Sequence, residues 1–246
     1  MKNFSFKIAF IGTYEFLMNN ILMFLKTSFI VILLYSFVEY TMKSHIANLD
    51  EIASNGYNIL IIIFSGILQL ILSTMFVVTW GGYYLKKIPT VQIIDVLNWN
   101  EIKTNYIIAN LKLFGIVILL SMISYLIISL ANTLNIDMLS YLVIGLVVFA
   151  QLIVLTRVMF ILPHVIDGFS GNISNAIDIT KGNSIKLLFS YIGVILPVSI
   201  ISLLFVLGTD YNSYSYFEAL IMTVFVFISQ AIITVYYINV YKQLTQ

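Results

Sequence analysis

The sequence predicts an all-α, polytopic membrane protein with six transmembrane helices, arranged as three repeated helical hairpins with short cytoplasmic interfacial helices. Three observations lead there. Hydrophobic residues make up 61% of the 246 and charged residues only 9%, at a mean hydropathy of +1.02, whereas soluble domains carry about 25% charged residues. Five stretches, 57–85, 113–136, 138–156, 187–209 and 219–241, contain no Asp, Glu, Lys, Arg or His, and each approaches the roughly 20 apolar residues that cross a bilayer. Glutamine recurs at comparable places in the even-numbered spans, at Gln69, Gln151 and Gln230, with separations of 82 and 79 residues.

The elements follow in chain order. The N-terminal "MKNFSFKIAFIGTYEFLMNN" contains Glu15 and two adjacent asparagines and no small-residue cleavage site. It therefore reads as a retained segment rather than a cleaved signal. Phe4, Ile8, Ile11 and Phe16 fall at roughly helical spacing within it, as a helix lying on a membrane surface requires. The first span runs from about Ile21 to Met42, with Lys26 and Glu39 near its two ends, where long side chains reach the headgroups. The second span follows at 57–85. After it, Pro89 and Thr90 form a helix-start signal for a second surface segment, "VQIIDVLNWNEIK", with Ile94, Leu97 and Trp99 available to the interface. The third and fourth spans are 113–136 and 138–156.

A third surface segment, "NISNAIDITKG", sets Ile173, Ala176, Ile177 and Thr180 on one face against Asn175, Asp178 and Lys181, and Gly182 ends it. The alternative for all three segments is a set of ordinary connecting helices packed on the protein itself. The fifth span contains Pro197, which frees a backbone carbonyl or serves packing. The sixth closes the chain. The whole reads as a single membrane domain, 1–246, with repeats at 1–86, 87–163 and 164–246.

Six spans place both termini on one side. That side collects eleven of the twelve basic residues, leaving Lys43 for the other, so the positive-inside rule predicts cytoplasmic termini. With no cysteine in the chain, disulfides, thiolate catalysis and Cys-ligated metals are excluded.

The polar residues within the spans are the candidate sites. An amide in hydrocarbon needs partners, so Gln69, Gln151 and Gln230 are expected in the bundle interior, either as interhelical hydrogen bonds or as the lining of a substrate path. Gly66, Gly81, Gly82, Gly145 and Gly193 favour close helix approach. Arg157, His164 and Asp167 gather at the end of the fourth span beside Pro163 and Gly168. They are headgroup or interface positions, open to a role in phosphate binding or acid–base work or to a bland one in ending a helix.

No HExxH, no G-x-S-x-G and no Walker A sequence accompanies them. "DGFSGNISNAID" opens like the CDP-alcohol phosphotransferase motif, but Gly171 and Asn172 stand at its AR positions and Ile185 and Phe189 at its later aspartates. That metal site cannot be built. Ionisable residues are nearly absent from mid-span, which disfavours ion-driven transport.

Taken with the total length, the opening "NNILMFLKTSFIVILL", the "ILQLILS" of the second span, the "PHVIDG...NAIDITKGN...KLL" connection and the ending "ISQAIITVYYINVYKQL" resemble the YciC-like family of bacterial inner-membrane proteins. The resemblance implies an inner-membrane location and supplies no catalytic residue, metal or cofactor. The expectation is a non-enzymatic protein of membrane or envelope homeostasis with membrane lipids and a membrane-protein partner, and without nucleic acid. The alternatives are a transporter or lipid-translocating protein using the interior glutamines, or an enzyme if Arg157, His164 and Asp167 converge.

Overall fold

The computed structural model describes residues 3–46, 56–88, 91–133, 137–207 and 215–245. Nine α-helices occur among them: α1 (Phe6–Asn19), α2 (Ile21–Ile46), α3 (Gly56–Tyr84), α4 (Glu101–Thr133), α5 (Asp137–Val158), α6 (Ile161–Ile166), α7 (Ile173–Ile179), α8 (Ser184–Leu207) and α9 (Tyr216–Thr245). Six of them, α2, α3, α4, α5, α8 and α9, are long and apolar enough to cross a membrane. The protein is an all-α, multi-pass membrane protein with six spans.

Local chemistry sets the ends of these helices. Ser5 caps α1, and Asn100 Oδ1 accepts the Lys103 N–H at 3.0 Å where α4 begins. Ser215 and Glu218 form a capping box at the start of α9: the Glu218 carboxylate accepts the Ser215 N–H at 2.7 Å while Ser215 Oγ accepts the Glu218 N–H at 3.3 Å. Gly182, at φ 81°, follows the last turn of α7, a left-handed conformation that glycine adopts without strain.

Neighbouring spans close a ring: α2 packs on α3, α3 on α4, α4 on α5, α5 on α8, α8 on α9 and α9 on α2, with α9 also crossing to α3. The core is centred on the trio α2, α3 and α9 and extends to Tyr106 of α4, Ile161 of α6 and Leu187 of α8. Trp80 is fully buried there among Phe16 (5.2 Å between ring centroids), Phe24 (6.0 Å) and Phe76 (6.4 Å), and its indole N–H donates to the Ala231 carbonyl at 3.2 Å. Phe227 of α9 meets Phe76 at 5.0 Å and Tyr35 of α2 at 5.4 Å, both edge-on, the arrangement that ring quadrupoles favour. Gly81 lets the short helix α6 and α9 close on α3, since a Cβ there would lie 3.1 Å from both Ile166 and Ile238. Gly66 and Gly145 instead face open space, so the expectation of close helix approach fails at these two positions.

The surface segments differ from one another. The first is the helix α1, which turns Ala9, Thr13 and Leu17 to α9 and the core while Ile8, Ile11 and Met18 stay exposed for lipid. The third forms α7 with Ala176 and Thr180 buried as expected, although Ile177 is exposed. The second is not a helix. Only a 3₁₀ turn at Asp95–Leu97 forms before α4, because side chains there take the backbone groups that a helix would use. Asp95 Oδ2 accepts the Gln92 N–H at 2.7 Å, and the buried ammonium of Lys103 donates to the carbonyls of Val96, at 2.7 Å, and Asn98. The predicted start at Pro89 and Thr90 lies outside the described residues.

Candidate functional site

Arg157, His164 and Asp167 are drawn to three separate partners. Arg157, in the last turn of α5, sends its guanidinium to the C-terminal end of α7, where Nη2 donates to the Ile177 carbonyl at 2.7 Å and Nε to Thr180 Oγ1 at 3.1 Å. A cation satisfying the last carbonyls of a helix is favourable both as a hydrogen-bond donor and toward the helix dipole. Arg157 therefore ties α5 to α7.

His164 belongs to the end of α6. The Gly168 N–H donates to the Val165 carbonyl and the Phe169 N–H to the His164 carbonyl, at 2.9 and 3.1 Å, with Gly168 at φ 89°. These two bonds make a Schellman motif, whose usual companion is a contact between the residues at its two ends. Here that contact is the Phe169 ring stacked on the His164 imidazole, 4.8 Å between centroids and 14° from parallel. The other commitment of His164 is Nδ1 at 3.0 Å from the Tyr241 hydroxyl of α9. Pro163 sits in the first turn of α6, where its missing N–H removes no helical bond.

Asp167 pairs with Lys87 at 2.9 Å, and the same ammonium also donates to the Asp167 carbonyl. The structure thus uses the three residues to stop α6, hold α7 and join the end of α3 to the α6–α7 connection. No hydrogen bond or ion pair joins any one of the three to another.

The glutamines are likewise held pairwise. Gln69 Nε2 donates to Glu39 of α2 at 2.7 Å, and Gln151 Nε2 to the Leu120 carbonyl of α4 at 3.0 Å and to Ser124 Oγ. Each of these stitches a span to the one before it. Gln230 departs from the pattern, donating to Ser73 Oγ of α3 at 3.1 Å rather than to α8, while its buried Oε1 has no protein donor.

None of these glutamines lines any of the four cavities described next. One of about 660 Å³ is an apolar groove between α2 and α3, walled by Phe37, Val38, Leu60 and Phe64 among others. Another of about 430 Å³ lies along Val117–Leu126 of α4. A third, about 460 Å³ and of mixed polarity, opens between α4 and the α6–α7 connection, lined by Asn105, Ile108, Lys112, Ser170 and Asn172. Where α3, α4, α6 and α9 meet beside Tyr106, Pro163 and Tyr237, the void is only about 30 Å³, room for about one water.

Several contributors escaped sequence reasoning. Tyr14 of α1 donates to the Val194 carbonyl of α8 at 2.6 Å, one residue along from the Gly193 carbonyl that Pro197 leaves without its helical N–H. Burial pushes the Tyr14 phenol pKa up, which keeps it a donor. Lys87, Tyr241 and Lys103 complete the junctions already described. Nothing in periodicity marks a lysine as a carbonyl clamp. The Asn105 and Lys112 pair, by contrast, was detectable from its seven-residue spacing at the edge of an apolar run. The chain matches no known family model, no curated protein and no solved structure.

Proposed function

We propose that this is a non-enzymatic protein of the bacterial inner membrane, with both termini in the cytoplasm, that acts through lateral contact with lipids and a membrane partner in the service of membrane or envelope homeostasis. The orientation is supported by the asymmetry of basic residues, and the choice of a bacterial inner membrane only by the resemblance of the sequence to the YciC-like family, which no family model match accompanies. The mode of action rests on one observation. Gln69, Gln151 and Gln230 each donate their amide N–H to another span, while the apolar faces of α4, α5 and α8 are left bare. A substrate path would need polar groups free along an axis. Among the described residues the buried oxygens without a partner, on Ser28, Thr74, Thr223 and Gln230, line none of the cavities described above.

Reconstitution in liposomes tests this reading. Protein-dependent flipping of a fluorescent phospholipid and efflux of a small trapped dye should both equal the protein-free rates, and an acceleration of either would sink it. Because the chain has no cysteine, single cysteines report orientation without background. Ser213→Cys should react with an impermeant maleimide in intact spheroplasts and Thr245→Cys only after lysis. The reverse result would overturn the assigned orientation.

A further inference from the structure

The mixed-polarity pocket beside α4 contains a charged side chain, Lys112, which the other three cavities lack. Asn105, Ile108 and Lys112 line it from one face of α4, and Ser170, Gly171, Asn172 and Ile173 form the opposite wall. That wall is held close: Lys112 Nζ donates to the Gly171 carbonyl at 2.9 Å, and a Cβ at Gly171 would stand 3.0 Å from Val165 and 3.5 Å from Ala109.

Polar donors remain available inside. An ammonium carries three N–H groups, so Lys112 keeps two beyond its bond to Gly171. Asn172 commits Oδ1 to the Ser174 N–H at 3.0 Å, which leaves its amide NH₂. Asn105 makes no side-chain hydrogen bond among the described residues. Lys112 is the sole charged residue in the lining, and no carboxylate opposes an anion there.

The position relative to the membrane narrows the ligand. Lys112 is the last charge before the apolar run 113–136, which places the pocket at headgroup depth. Continuing from Asn105, Ile108 and Lys112 by helical steps, Leu119, Ile123 and Leu130 follow on the same face, and they are 61%, 52% and 68% exposed. A polar cradle with one cation therefore opens onto a bare apolar track.

Counted along the sequence, this side of the membrane carries eleven basic and five acidic side chains, a net of +6. The other side carries −5, which together give the chain's +1. Such a field draws anions to this side.

We propose that the pocket between α4 and the α6–α7 connection binds the phosphate of an anionic phospholipid headgroup through Lys112, Asn105 and Asn172, with the acyl chains along Leu119, Ile123 and Leu130. The inference deepens the lateral-contact reading and rests on it, by naming the lipid class and the place.

Native mass spectrometry of the full chain in detergent tests it, with phosphatidylglycerol and phosphatidylcholine of identical acyl chains and with inorganic phosphate. Phosphatidylglycerol should be retained at least fivefold over phosphatidylcholine. Lys112→Gln should remove that preference and Lys112→Arg should keep it. Asn105→Leu, which leaves the bond between Lys112 and Gly171 intact, should weaken retention severalfold even if Lys112→Gln fails to fold. Lys26→Gln, an exposed cation outside the pocket, should change nothing.

Equal retention of the two lipids, unchanged retention in both pocket variants, or an equal loss in Lys26→Gln would overturn the site. Inorganic phosphate binding as tightly as the lipid would make it a site for the free anion instead. Flux in liposomes would refute the lateral-contact reading with the binding data unaffected, so the two failures are separable.

Discussion

Two halves of the ring of spans are built on different terms. In α2, α3 and α9, 39%, 33% and 44% of the most apolar stretch is buried in the protein, against 6%, 11% and 17% in α4, α5 and α8. Hydropathy does not separate them, since all six lie between 2.1 and 2.6. The difference lies in what each helix offers a neighbour. The first trio presents Trp80, Phe76, Phe24 and Phe227 with small Thr27, Ser28, Ser36 and Thr74, all buried. The second presents Ile, Leu and Val around most of its circumference, with Leu126, Leu146 and Leu204 each more than 60% exposed. Lipid tails are as apolar as leucine, so hydrophobicity cannot draw two such helices together, and packing shape and polar links decide the contact instead.

Truncation on the two sides of the divide should therefore behave differently. Trp80→Ala would open a cavity in the aromatic core and is expected to cost about 3–5 kcal/mol, read as a large fall in the thermal midpoint in detergent. Leu126→Ala on the bare face should move that midpoint little. Similar losses for the two would erase the distinction between the halves.

At the foot of the loosely packed trio, α4 is anchored by the buried Lys103 ammonium on the Val96 and Asn98 carbonyls. Lys103→Met removes a charged donor and leaves two acceptors unpaired, an expected loss of about 2 kcal/mol. Proteolysis should then find the 91–100 segment first. Protection of that segment equal to that of the unaltered protein would show that the anchor is dispensable.

The smallest effect is expected at Gln151, whose amide links α5 to α4. Hydrogen bonds between membrane helices average about 0.6 kcal/mol, so Gln151→Leu should be only slightly destabilising. The effect should appear as faster disulfide formation between cysteines placed on α4 and α8, which do not pack together in the ring. No change in crosslinking would mean that apolar packing alone holds the hairpin.

Although the third span, expected from 113, begins as α4 at Glu101, the sequence by itself determined the number of spans and the uneven distribution of charge along the chain. Each of these follows from local composition, because a bilayer accepts a helix according to its own twenty residues. It also marked α1 and α7 as short amphipathic elements and Gly168 and Gly182 as stops. Tertiary structure alone decided which spans would bury one another and what the conspicuous polar residues would do. Arg157, His164 and Asp167 are neighbours in sequence, yet each is satisfied by a group from another part of the chain: the end of α7, Tyr241 and Lys87. The three glutamines repeat in sequence, yet Gln230 finds its partner across the ring on α3. A polar group in a nonpolar medium goes to the nearest complementary group in space, and that distance is fixed by packing, which no local pattern encodes.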